Sequence, residues 1–315
     1  MQTVSQVLTH GRTELAKVIV GQEELINQCL LTILCGGHAL LEGVPGIAKT
    51  LVIKSFARLF DLEFRRVQCT SDLMPADIIG SNVLNLSTSA FSLHRGPLFT
   101  DLLLADEVNR MPPRTQAAVL EAMEERQITI DGSTHPLSQF FTVFATQNPI
   151  EFEGTYPLPE AQLDRFLLKI KVGYPTAEQE ITILQHQHEG FDAHDLDSAH
   201  LAALPTEVLA QARSEIRSVK VEPALFRYIV EIVRRTRGWP ALALGASPRA
   251  AISLMMVSKA TAALENRDYI IPDDVKASAL PTLRHRVMMK PEAELEGLDS
   301  DRVLTEVLGS VEVPK

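Results

Sequence analysis

The chain has 315 residues, carries 30 Lys and Arg against 40 Asp and Glu for a formal charge of −10, and is 45% hydrophobic and 22% charged. A length of about two average domains buries a core without covalent staples, which excludes collagen-like, disordered and mini-protein classes. The acidic balance speaks against a general electrostatic hold on nucleic-acid backbones, and Cys29, Cys35 and Cys69, with no C-x-x-C pair, fit a reducing cytoplasm better than a disulfide framework.

The first residues lack the apolar stretch of a signal peptide, and no run approaches the length of a membrane span, so neither export nor membrane insertion is expected. Val7, Leu8, Leu15, Val18 and Ile19, then Leu25, Ile26, Cys29, Leu30, Ile33 and Leu34, recur at three-to-four spacing. That spacing predicts helices over residues 1–35, ended by Gly36-Gly37. His38 to Leu41, Phe64 to Gln68, Leu102 to Ala105, Phe141 to Thr146 and Leu167 to Val172 read as five buried strands. Helical patterns at Thr50 to Phe60 and Pro113 to Arg126 separate them, which predicts an α/β fold: a parallel five-stranded sheet sandwiched by helices.

Two insertions break the rhythm. Ser81 to Arg95 is rich in Ser, Asn and Thr, and Gln127 to Gln139 places Asp131-Gly132 after alternating Ile128 and Ile130, the pattern of a hairpin. Beyond Tyr174-Pro175 the period becomes helical, with starts marked by Pro223, Pro248 and Pro272. The expected domains are therefore 1–175, α/β, and 176–315, a small all-α unit.

Gly43-Val44-Pro45-Gly46-Ile47-Ala48-Lys49-Thr50 follows the first strand and opens a helix. Small residues let backbone N–H groups curl around a phosphate, and the helix dipole adds to the attraction. Lys49 is placed to reach the β- and γ-phosphates of a nucleotide, and the Thr50 hydroxyl to ligate Mg²⁺. Ala48 stands where a second Gly is usual. Leu102 to Ala105 then ends in Asp106 and Glu107 at the carboxyl edge of a strand, where ligands bind in open sheets. There Asp106 suits a Mg²⁺ shell and Glu107 a base that polarises attacking water; by itself the pair also fits acids ending a strand in solvent.

Asn148, after another apolar strand, is placed to orient that water, although Asn148-Pro149 also reads as a simple turn. Arg165, in Leu163-Asp164-Arg165-Phe166, suits an arginine finger delivered to a neighbouring subunit. Spacing alone favours an ion pair with Asp164 or Glu160, and Arg110 and Arg114 compete for the role. Arg249, in Gly245-Ala246-Ser247-Pro248-Arg249, sits against the dipole of its own helix, as a cation aimed at phosphate would, or as an ordinary solvated Arg. His186, His188, His194 and His200 with Asp192, Asp195 and Asp197 lack a compact ligand spacing and read as a solvated connection, without a metal.

The strings GVPGIAKT, LLLADEVNRMPPRTQAAVLEAMEERQIT, ATQNPIEFEGTYPLPEAQLDRF and GASPRA resemble the MoxR family of AAA+ ATPases, across about residues 15–290. The resemblance makes Gly43 to Thr50 Walker A, Asp106 and Glu107 Walker B, Asn148 sensor 1, Arg165 the arginine finger and Arg249 sensor 2. It places Val20-Gly21-Gln22 beside the adenine, makes Ser81 to Arg95 the helix-2 insert and Gln127 to Gln139 the hairpin before sensor 1, and assigns 176–315 to the lid. It implies ATP and ADP with Mg²⁺, a homo-oligomeric ring, usually a hexamer, and chaperone-like remodelling or cofactor and metal insertion in client proteins. The sequence shows no further domain after the lid, so the von Willebrand factor A domain adaptor common in that family is expected as a separate partner. Two other readings remain: a nucleotide-gated switch, and a nucleic-acid motor like MCM-type relatives, disfavoured because Gln127 to Gln139 contains no Lys or Arg.

Overall fold

The computed structural model describes residues 1–44, 46, 48–87, 89–148, 154–193 and 195–314, with Asn85 described by its backbone. The chain opens with α1 (Gln2–Leu15) and α2 (Glu23–Cys35), the latter stopped by Gly36 at φ 65°, a left-handed cap that only glycine adopts without steric cost. Then come β1 (Ala39–Glu42), α3 (Lys49–Leu59), β2 (Phe64–Gln68), α4 (Pro75–Ile79), the hairpin β3 (Gly80–Asn85) and β4 (Ala90–Arg95), and β5 (Leu102–Asp106). After α5 (Pro113–Glu125) follow a second hairpin, β6 (Gln127–Ile130) and β7 (Ser133–Pro136), then β8 (Thr142–Gln147), α6 (Glu160–Leu163) and β9 (Leu168–Lys171).

Five of these strands form one parallel sheet in the order β2-β5-β8-β1-β9. Pleating sends alternate side chains to opposite faces. Ala39, Leu41, Leu102, Leu104 and Phe144 join α1, α2 and α3 in the larger apolar core, while Leu40, Leu103, Ala105, Val143 and Ala145 join α5 in a second one. Phe144 is fully buried, and truncating it to Ala costs about 3–5 kcal/mol.

β2 departs from the expectation of five buried strands. It pairs only with β5, and of its five side chains Val67 alone is buried, with Arg65 and Arg66 exposed. An edge strand has one neighbour and can leave part of its surface to solvent.

Both insertions are hairpins. The turn of the second uses Asp131 (φ 48°) and Gly132 (φ 80°), the left-handed pair that a tight hairpin needs. Asn82 Nδ2 donates to Asp131 Oδ2 at 2.8 Å, so the two hairpins lie together, with Val83, Leu84, Leu86 and Phe91 of the first exposed.

The remainder consists of α7 (Ala177–His188), α8 (Thr206–Ser218), α9 (Pro223–Arg237), α10 (Pro248–Leu264), α11 (Pro272–Leu283), α12 (Pro291–Leu295) and α13 (Ser300–Ser310). Pro223, Pro248 and Pro272 each stand at the first position of a helix, where the missing N–H costs nothing. This part is not purely helical, because β10 (Leu242–Leu244) and β11 (Met288–Met289) form a short antiparallel ribbon. α8 packs on α1 and α2, and α10 packs on α2, α9 and α11, so the larger core continues without a break from the sheet into the helical part. No described helix is long and apolar enough to cross a membrane.

Candidate functional site

The loop after β1 bends back on itself: Lys49 Nζ donates to the Gly43 carbonyl at 2.7 Å, and the Gly43 N–H reaches the Gln147 carbonyl. Ala48 takes φ 59°, a left-handed conformation, which explains why the smallest side chain is tolerated where glycine is usual. Burial pulls the Lys49 ammonium below its ordinary pKa, while the Asp106 and Glu107 carboxylates pull it back up. Gly46, Ala48, Lys49, Thr50, Asp106, Glu107, Thr146 and Asn148 all border one cavity of about 590 Å³ at the carboxyl ends of the strands. Val44 packs on the larger core instead. Pro45 and Ile47 lie outside the described residues.

The acids are held by neighbours that the motifs do not include. Thr146 donates its hydroxyl to Asp106 Oδ1 at 2.5 Å and accepts the Glu107 backbone N–H at 2.8 Å. Arg66 pairs with Asp106 Oδ2 at 2.6 Å. Gln68 Nε2 and Arg110 Nε both reach Glu107 Oε2, at 3.2 and 2.9 Å. Arg110 thus lies on the carboxylate of its own subunit, which weakens its claim as a finger. Glu107 itself has φ 59°, a strained backbone of the kind retained where a side chain must be aimed. Arg66 and Gln68, two positions apart on β2, share the face of the sheet that carries Asp106, with which Gln68 is in register. Two long polar side chains at i and i+2 near the end of a strand were the signal in the sequence that could have revealed them.

A second cavity of about 250 Å³ shares Gly46, Ala48, Leu51 and Ala193 with the first. Val20 and Gln22 line one wall, while Gly21 borders the adjoining cleft. Ile183, His186, Gln187 and Phe191 line another, two apolar and two polar side chains. The stretch read as a solvated connection is therefore partly a cavity wall, since α7 carries three of these residues. His188 ends α7, while His200, Asp195 and Asp197 lie beyond it; Asp197 pairs with Arg58, and His194 is outside the described residues. Among the described residues no group of three His, Cys, Asp or Glu gathers as a metal site.

Arg165 and Arg249 border neither cavity. Arg165 Nη1 donates to the Leu120 carbonyl at 2.5 Å, in a cleft of about 280 Å³ lined by Glu121, Glu124, Glu125 and Gln162. Arg249 Nη2 pairs with Glu124 Oε2 at 2.5 Å. Both guanidiniums thus rest on one stretch of α5, apart from the Gly43 to Thr50 loop of their own chain. Arg114 is exposed in the first turn of α5.

The family described as the ATPase family associated with various cellular activities (AAA) matches residues 38–168, and the AAA lid domain family matches residues 234–307. The chain is 40% identical to Chaperone MoxR1 of Mycobacterium tuberculosis over 96% of its own length and 81% of that protein. It belongs to the MoxR family of AAA+ ATPases. Protein MoxR of Paracoccus denitrificans is 31% identical over 88% of this chain and 87% of its own length. An uncharacterised protein of Bacillus subtilis, YeaC, is 43% identical over 95% of this chain and 92% of its own. A crystal structure of a candidate ATPase from Cytophaga hutchinsonii superposes with a TM-score of 0.91 at 41% identity, covering 99% of this chain and 96% of that one. Membership of that family accounts for the five-stranded sheet and the helical lid.

Proposed function

We propose that this MoxR-family chain hydrolyses ATP at the interfaces of a homo-oligomeric ring, a hexamer by family resemblance, and uses the cycle to remodel or mature partner proteins. The observation that carries this reading is that the two arginines stand apart from the cavity bordered by the other reacting groups. Lys49, Thr50, Asp106, Glu107 and Asn148 border that cavity, whereas Arg165 lines a separate cleft against α5 and Arg249 pairs with Glu124 of α5. A site whose cations stand on another face is completed by a second copy, and head-to-tail contacts of that kind close into rings.

Within one site the roles follow from chemistry. The loop amides and Lys49 cradle the phosphates, with Val20, Gly21 and Gln22 beside the base. Glu107, aimed by Gln68 and Arg110, accepts the proton of the attacking water, and Asn148 orients that water. The neighbour's Arg165 and Arg249 stabilise the charge that develops on the γ-phosphate. The Thr50 hydroxyl and the Asp106 carboxylate are the oxygen donors a hard divalent cation takes, so the donor set fits Mg²⁺, which would be held by these two residues and would supply positive charge against the phosphates. Arg66 pairs with Asp106 Oδ2, an oxygen it would share with or release to such a cation. Residues 1–175 serve as the nucleotide-binding domain and 176–315 as the lid.

A chaperone-like role is supported by the likeness to Chaperone MoxR1 of Mycobacterium tuberculosis. A separate von Willebrand factor A domain adaptor and a soluble, cytoplasmic setting are inferred from the family. The Gln127 to Gln139 hairpin carries Asp131 and no Lys or Arg, which does not favour a nucleic-acid motor. Light scattering of the Glu107→Gln protein with and without ATP and Mg²⁺ tests the assembly: a closed multimer on nucleotide addition is expected, and a monomer that still binds ATP overturns it. Mixing Arg165→Ala with Glu107→Gln subunits restores hydrolysis where an intact base meets an intact finger; no recovery overturns the trans role.

A further inference from the structure

Arg165 and Arg249 are 84 positions apart in sequence, yet the residues behind them are joined. Asp164, which follows α6, accepts Ser247 Oγ on Oδ2 at 2.9 Å and Arg286 Nε on Oδ1 at 2.7 Å. Ser247 is the N-cap of α10, its hydroxyl also accepting the Ala250 N–H, and Arg249 stands two residues further on. Arg286 has a side chain only 2% exposed. Its guanidinium donates to the Asp164 and Phe166 carbonyls, at 3.2 and 2.7 Å, so the backbone is clamped on both sides of Arg165. It also holds the Thr282 carbonyl and Ser253 Oγ, which anchors the clamp in α11 and α10.

Burying a guanidinium is costly unless its donors are satisfied, and here six separate acceptors in the turn and the lid receive them, the Leu167 carbonyl among them. The outcome is a rigid base shared by a turn of the α/β domain and the first turn of a lid helix. Cations that must meet a phosphate on another molecule lose rate when they are misplaced by about 1 Å, because the positioning has to exist before the substrate arrives. A common base also keeps the two at a fixed separation.

We propose that Asp164, bridged to Ser247 and clamped by Arg286, is a positioning residue that makes Arg165 and Arg249 a single unit, presented together to the nucleotide of a neighbouring subunit. This rests on the trans reading of the two arginines given above. Nucleotide held in the chain's own cavity does not depend on it, so its loss falls on kcat.

Ser247→Gly tests the bridge with little disturbance of the helix, because glycine is nearly as good an N-cap as serine, whereas Ser247→Thr keeps the hydroxyl. The expected result is a fall of about tenfold in kcat for Ser247→Gly with KM for ATP and binding of a fluorescent ATP analogue within twofold, and kcat within twofold of wild type for Ser247→Thr. Combining Ser247→Gly with Arg249→Ala should be no slower than Arg249→Ala alone, an outcome that a general loss of structure would not give. Wild-type kcat in Ser247→Gly, or a multiplied loss in the double variant, overturns the proposal. Arg165→Ala and Arg249→Ala are measured alongside. If they leave hydrolysis unchanged, the trans reading itself has failed; if they slow it while Ser247→Gly does not, only the bridge has failed. Should Asp164→Asn, which removes the charge facing Arg286, fold less well, the Ser247 pair still decides.

Discussion

Replacing Glu107 by Gln removes the carboxylate with almost no change of shape. Gln68 and Arg110 both approach Oε2, and an amide oxygen at that place still accepts from each, so the side chain keeps its aim. What is lost is the ability to take a proton from water. A positioned general base is worth about 10²–10⁴-fold, which at 1.36 kcal/mol per decade is about 3–5 kcal/mol of barrier. The substitution also removes one negative charge from beside Lys49, so ATP binds at least as tightly as in the wild type. Phosphate release under single-turnover conditions gives the rate, and titration with a fluorescent ATP analogue gives the affinity. Hydrolysis within tenfold of wild type at unchanged affinity would refute Glu107 as the base and shift attention to another group at the cavity.

Three further outcomes follow from the geometry. Ala48→Gly relieves a left-handed alanine worth about 1–2 kcal/mol but loosens the unfolded chain by about 0.4–1 kcal/mol, for a net gain near 1 kcal/mol in urea denaturation; a loss of that size would show that the loop does not hold φ 59°. Ile183→Ala, which thins the wall of the cavity assigned to the base, raises KM for ATP by about three- to fivefold with kcat unchanged, as expected for about 1 kcal/mol of lost apolar contact; an unchanged KM would place the base elsewhere. His38 is buried, and its pKa is pushed down to about 3 by burial, only partly offset by its hydrogen bond to the Met123 carbonyl. The unfolded chain therefore takes up that proton first, so the stability His38 contributes is complete above pH 6.5 and is lost as pH falls from there towards 3. Between pH 7 and 5 the loss is about 2 kcal/mol, and His38→Gln flattens the pH dependence of urea denaturation by that amount; an unchanged slope would refute it.

The sequence by itself determined the Gly43 to Thr50 turn into a helix, the Asp106-Glu107 strand end, the Gln127 to Gln139 hairpin and the proline-marked starts of α9, α10 and α11, whereas the pairing of β3 with β4 in the first insertion was not legible in it. Each of these signals is carried by residues within a dozen positions of one another, where backbone geometry and side-chain period are local properties. The period of β2 did not reveal that it is an edge strand, because burial depends on the neighbours a strand acquires and not on its own pattern. Only the tertiary structure decided the rest of the site. The order β2-β5-β8-β1-β9 sets Arg66 and Gln68 beside the two acids, and the packing of α7 supplies a wall to the second cavity. The same packing carried Arg165 and Arg249 away from their own phosphate loop and onto α5, tied together through Asp164 and Ser247. Contacts between residues 40 to more than 120 positions apart follow from which surfaces are buried against each other, and that is settled when the whole core forms.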